Sequence, residues 1–229
     1  MSAGDRSQTL QFVLLILTGL TGVVDAESFL SFGHVFTANM TGNVVLIAFA
    51  IAGVHGLSVA RSVTALVGFL TGVTLGARMA LHLDGRHASR VLAAALFVQA
   101  ASLFAATALA IGREASPADR PVHLYVAIAL TSLAMGVQNV TALKLGVPGL
   151  APNVLTTALT GIAGDSLFGS HNPVWTRRVM SVGAMFAGAL SGVWLWHLSA
   201  VWPLMTAAAI SAVCGLAMSG DESHVAVAP

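Results

Sequence analysis

The sequence predicts an all-α, polytopic membrane protein of about six spanning helices, forming one integral membrane domain over residues 1–229. Three observations predict it. Hydrophobic residues make up 56% of the chain and charged ones 8%, with a mean hydropathy of +0.86, whereas a soluble domain carries about 25% charge. Such a chain cannot cover a water-facing surface, so lipid must meet most of its exterior. Apolar runs recur along the whole length, several of them near the roughly 20 residues that a spanning helix needs. The two halves of the chain also resemble each other.

Eight apolar segments can be drawn: 10–30, 40–57, 60–83, 90–111, 122–143, 150–168, 178–198 and 200–218. The first contains "LQFVLLILTGLTGVVDA", with the apolar core and V-x-A ending of a signal peptide. Only Arg6 precedes it, against Asp5, and the remaining chain is itself membrane-embedded, so a first spanning helix is expected. Its uncharged run covers 15 residues, Leu10 to Val24, before Asp25 and Glu27. The second segment opens on "FTANMTGN" (36–43), and its apolar run ends about 11 residues later at Val54, too short to span. The third and fourth segments are clean. The third carries Gly68, Gly72 and Gly76, a small stripe at every fourth residue that lets helix backbones approach closely, and Arg78, which reads either as snorkelling to the surface or as a partner for Asp25, Glu27 or Asp165.

The fifth segment runs from Leu124 to Val137 and then turns polar at Gln138, Asn139 and Lys144. The sixth holds Pro152, Asn153, Thr156, Thr157, Thr160, Gly161 and Asp165. The seventh and eighth are clean. Gly188 and Gly192 repeat the close-packing spacing, His197 beside Trp194, Trp196 and Trp202 reads as an interfacial anchor, and Cys214 reads as a packing residue.

The likeness of the halves is specific enough to quote. "LTGLTGVVDAESFLSFG" (17–33) matches "LTSLAMGVQNVTALKLG" (130–146) at an offset of 113, with Leu17/Leu130, Thr18/Thr131, Val24/Val137 and Gly33/Gly146 identical. "VGFLTGVTLGARMALHL" (67–83) matches "VGAMFAGALSGVWLWHL" (182–198) at an offset of 115. The expected units are 10–112 and 122–219. If all eight segments cross, the units are parallel and Lys and Arg divide six to four between the two sides. If the second and sixth dip in and return, six cross, the units are inverted, and the division is seven to three. The positive-inside rule favours the second layout, with both termini cytoplasmic, and a seven-crossing arrangement stands between the two.

Few residues can carry chemistry. Asp25 and Glu27 lead, because a carboxylate at membrane depth is costly and so marks function by default. Two residues apart is about 200° around a helix, so one face cannot hold both. Either the helix unwinds near Val24, or one carboxylate reaches the interface, or both lie at the headgroups where the span stops. Asn39, Thr41, Gly42 and Asn43 read either as an ordinary loop and helix cap or as a helix N-terminus aimed at a buried ligand. Gln138, Asn139, Thr160, Gly161 and Asp165 are their counterparts in the second half. "GIAGD" lacks the GxGD pattern of intramembrane aspartyl proteases, so no catalytic residue and no enzyme activity are expected. The chain has no Cys/His ligand cluster, so no metal or cofactor is expected. A net charge of +1 and the lack of a basic run argue against nucleic acid.

"GVVDAESFLSFGHVFTANMTGN" (22–43) and "GVQNVTALKLGVPGLAPNVLTTALTGIAGD" (136–165) resemble the two signatures of the YoaK-like family of bacterial multi-pass membrane proteins of unknown function. The likeness covers about 11–218. The first signature falls on Gly22, Asp25, Ala26, Thr41, Gly42 and Asn43, and the second on Gly136, Gln138, Asn139, Thr160 and Gly161; the chain departs from the pattern after Gly146. The resemblance implies a bacterial inner-membrane protein and names no substrate. The repeat, the broken segments and the polar residues together lead to an expected carrier of a small solute or ion. The alternatives are a channel and a non-transporting membrane component, such as a partner scaffold or an intramembrane enzyme. The expected partners are the lipid bilayer, the solute, and a second copy joined through the glycine stripe.

Overall fold

The computed structural model describes residues 3–82, 88–110, 121–148, 155–167 and 173–219. Among them are eight helices and no strand: α1 (Ala3–Ser31), α2 (Met40–Ile51), α3 (Val59–His82), α4 (Ala88–Ala110), α5 (Pro121–Leu145), α6 (Leu155–Leu167), α7 (Pro173–Leu198) and α8 (Trp202–Ser219). Six are long and apolar enough to cross a membrane: α1, α3, α4, α5, α7 and α8. The other two have 12 and 13 residues. At 1.5 Å per residue they reach only about 18–20 Å, against a hydrocarbon core of roughly 30 Å.

Close contacts fix the direction of each spanning helix. Gly19 of α1 meets Ala184 and Gly188 of α7, Val23 meets Gly192, and Trp196 Nε1 donates to Ser31 Oγ at 2.9 Å, so α1 and α7 run parallel. In the same way Gly68, Gly72 and Gly76 of α3 meet Ala129, Leu133 and Val137 of α5, a second parallel pair. Gln138 of α5 bonds to Leu17 and Thr21 of α1, while Leu20 and Val24 share a core with Ala127 and Ile128, so α1 and α5 are antiparallel. Leu92 and Leu96 of α4 pack with Ala142 of α5 and with Cys214 and Met218 of α8, and Leu103 and Ala106 pack with Ala127 and Ile128 and with Leu204 and Ala207. Helix α4 is therefore antiparallel to both. The six spans alternate in direction along the chain. Helix α2 joins two span ends at one end of the bundle, and α6 joins two at the other. Neither crosses, so the eight-crossing layout does not occur.

Two expectations are corrected here. The first helix does not unwind near Val24; it continues through Asp25 and Glu27 to Ser31. Both carboxylates are buried, at 6% and 1% exposure, because neighbouring chain covers both sides of the last two or so turns. The glycine stripe is occupied within the chain. A Cβ at Gly72 would fall on the Leu133 carbonyl, and one at Gly188 on the Gly19 carbonyl. These glycines allow backbone-to-backbone packing of the two parallel pairs, so the stripe offers no face to a second copy. The outer surfaces carry Val67, Leu70, Phe186, Leu190 and Trp194, all exposed, as a lipid-facing bundle requires.

Candidate functional site

The polar stretch that interrupts the first half folds back against the end of α1. Gly33 and His34 follow the helix at φ +80° and +61°, and two left-handed residues in succession turn the chain sharply. Arg61 of α3 donates to the Gly33 carbonyl at 3.0 Å, and its guanidinium fills the space where a side chain at 33 would lie. Phe36 stacks on Phe29 with ring centres 5.2 Å apart, which lays the segment along α1. Asp25 Oδ1 then accepts the backbone N–H groups of Thr37 at 3.2 Å and Ala38 at 2.8 Å. Thr37 and Ala38 are buried, so these amides have no water to turn to. The carboxylate completes the hydrogen bonding of the loop much as a cap completes a helix end.

Asn43 makes a matching clip. It is fully buried on α2; its Oδ1 accepts the Phe36 N–H at 3.0 Å, and its Nδ2 donates to the Phe36 carbonyl at 2.6 Å. A carboxamide is the side chain suited to satisfying one residue's donor and acceptor together. Asn39 caps α2, accepting from Gly42 N–H at 3.3 Å. A side chain at Gly42 would press on the Phe36 ring. Thr41 is exposed. Helix α2 therefore directs its N-terminal amides at its own cap, and four of the six first-half candidates (Asp25, Asn39, Gly42 and Asn43) form one locking device around Phe36–Ala38.

The second-half candidates separate. Gln138 is buried and enters a different cluster. Its Oε1 accepts from Gln99 Nε2 of α4 at 2.7 Å, and its Nε2 donates to Thr21 Oγ1 at 2.9 Å and to the Leu17 carbonyl at 3.3 Å, both on α1. Three helices are thus tied by one chain of hydrogen bonds within an apolar bundle. Asn139, the next residue, is only partly buried and points away from this cluster, as a 100° helical step dictates. Thr160 is exposed, and its hydroxyl bonds back to the Thr156 carbonyl at 2.9 Å. Gly161 lies against the Arg178 guanidinium. The side chain of Asp165, and Pro152 and Asn153, lie outside the described residues. Glu27 is buried on α1, about 200° around the helix from Asp25. Arg78 is exposed, as snorkelling requires. Among the described residues, no group of three His, Cys, Asp or Glu side chains could hold a metal ion.

Sequence reasoning missed Gln99, Thr21 and Arg61. Gln99 had a signal of its own, a single carboxamide at the centre of the 21-residue span Ser89–Leu109. Thr21 and Arg61 had none, since each acts on a partner distant in sequence.

A family model described as "Protein of unknown function (DUF1275)" matches residues 13–217. The chain belongs to the DUF1275 family. It is also 40% identical over 152 residues to the UPF0700 transmembrane protein YoaK of Bacillus subtilis (strain 168), a match covering 66% of this chain. That match spans 64% of the relative's length, a little under two thirds. No solved structure matches the chain. Family and helices agree that this DUF1275 member is a multi-pass integral membrane protein, and the YoaK-like resemblance read from residues 22–43 and 136–165 holds.

Proposed function

We propose that the protein is a secondary carrier of a small solute or ion, built from two inverted halves of three spans each. One observation carries the reading. Helices α1 and α7 form a parallel pair, α3 and α5 form another running the opposite way, and short helices α2 and α6 lie at opposite ends of the bundle. A half-turn about an axis in the membrane plane exchanges the pairs, and that is the symmetry from which alternating-access carriers are built. The quoted sequence matches support the same exchange, since 17–33 lies on α1 and 130–146 on α5, while 67–83 lies on α3 and 182–198 on α7. The halves are 10–112 and 122–219. The charge division of seven to three favours an inner-membrane location with both termini cytoplasmic.

The first-half polar residues take a structural role in this reading. Asp25 and Asn43 hold a rigid loop at one end of the bundle, and no enzyme chemistry is assigned to them. The same locking supports the alternative, a non-transporting scaffold.

The test needs no known substrate. Single cysteines are placed at Leu17, Thr21 and Leu96 in a background lacking Cys214. A membrane-impermeant thiol reagent is then applied from each face of oriented vesicles. A carrier exposes the same deep positions first to one side and then to the other. A channel labels them from both sides at once. Labelling from neither side, in folded protein, favours the scaffold.

A further inference from the structure

The hydrogen-bond chain from Gln99 through Gln138 to Thr21 has one open end. Gln138 is fixed in orientation, because turning its amide would set its oxygen against the Leu17 carbonyl, which already accepts the Thr21 hydroxyl at 2.9 Å. Gln99 is fixed in turn, because its nitrogen must face Gln138 Oε1. Its own Oε1 then accepts no hydrogen bond from any described residue, although Gln99 has no exposed surface. A buried amide oxygen without a donor is costly, and native cores rarely keep one unless something else binds there.

The location matters as much as the missing partner. Gln99 is at the midpoint of its span, and α1 and α4 come from the first half while α5 comes from the second. The cluster therefore lies at mid-depth where the two halves meet, the usual place for a carrier's cargo. Its groups are all neutral: two carboxamides, one hydroxyl and one backbone carbonyl. Of the two buried carboxylates on α1, Asp25 is committed to the Thr37 and Ala38 amides, and Glu27 lies about 9 Å of helix rise beyond Thr21. A cation stripped of water would meet no compensating charge from these groups, whereas a neutral molecule with an N–H or O–H would be matched by the open acceptor.

We propose that Gln99, Gln138 and Thr21 form a recognition site for a small uncharged solute that donates a hydrogen bond, with the Gln99 carboxamide oxygen as its acceptor. The proposal rests on the carrier reading above and adds the class of cargo. Gln138 positions Gln99 and is itself positioned by Thr21 and the α1 backbone.

The experiment follows reswelling of proteoliposomes by stopped-flow light scattering, with glycerol, acetamide and urea as separate probes. Wild-type vesicles should reswell several-fold faster than empty ones with at least one probe. The volume-matched Gln99→Met/Gln138→Met variant removes both amides together, leaves no orphan behind, and should fall to the empty-vesicle rate. If that variant does not fold, Thr21→Val, which deletes only one acceptor of Gln138, should lower the rate while the protein stays intact. Equal rates in wild type and either folded variant overturn the site. No acceleration with any probe, in protein that shows two-sided labelling, overturns the solute class and leaves the carrier standing; the open acceptor then serves an enclosed water. Acceleration that depends on Gln99 without alternating labelling keeps the site and removes the carrier.

Discussion

Replacing Asp25 separates a capping carboxylate from one that binds cargo. In Asp25→Ala the N–H groups of Thr37 and Ala38 lose their acceptor while staying buried. Each unsatisfied buried donor costs about 1–3 kcal/mol, so the pair should cost about 2–6 kcal/mol. Asp25→Asn keeps an oxygen in place and loses only charge assistance, which is roughly half the strength of each bond. Its cost should be about 1–2 kcal/mol. For chains of this size, 1 kcal/mol moves the melting midpoint by about 2–4 °C. The alanine variant should therefore melt roughly 5–20 °C below wild type, with the asparagine variant between them. Cys214 provides the assay. It is the single cysteine of the chain and is buried on α8, so a fluorogenic thiol dye in detergent reads its exposure on unfolding. Equal melting of all three proteins would refute the capping role. So would an asparagine variant as unstable as the alanine variant, since charge and not hydrogen bonding would then be the stabilising property.

Other outcomes follow from the same geometry. Gly72→Leu drives a side chain into the Leu133 backbone, which cannot rotate away, and should abolish folded protein in size-exclusion profiles. On α7, Gly183→Ala meets nothing within 4 Å and should be neutral or stabilising by about 0.5–1 kcal/mol through helix propensity, measured by the Cys214 melt. Asn43→Asp retains the acceptor for the Phe36 N–H but cannot donate to its carbonyl, so it should melt below wild type while Thr160→Val, at an exposed position, should not. Trp196→Phe and Ser31→Ala should each cost about 0.5–1.5 kcal/mol and not add in the double variant, because both remove the same hydrogen bond.

The sequence was most legible where periodicity and length carry the signal. Spanning helices announce themselves because each must hide about 20 residues of backbone from lipid with apolar side chains alone. The short second segment was also legible, since its apolar run cannot reach across, while the sixth showed only that polar residues interrupt it. Asp25 and Asn43 stood out as expensive polar residues, but their roles did not. Both readings of "FTANMTGN", cap and ligand site, use the same residue types. What separates them is whether the amides of Thr37 and Ala38 point at Asp25, thirteen residues or fewer away in sequence but across a turn whose φ values no pattern encodes. The glycine stripe behaved alike: the spacing announces a close helix contact without saying whether the partner is α5 or another copy.

By itself, then, the sequence determined the solvent of this protein, the rough limits of its apolar segments, and a short roll of polar residues that had to be accounted for. These are properties of composition and local periodicity, and they hold before any helix meets another. Tertiary structure alone decided the partners. It paired α1 with α7 and α3 with α5, turned Asp25 and Asn43 inward to lock a loop, and brought Gln99, Gln138 and Thr21 together from three helices up to 117 residues apart in sequence. A hydrogen bond across helices depends on rotation and depth to within an ångström, and residue types along one chain carry no record of either.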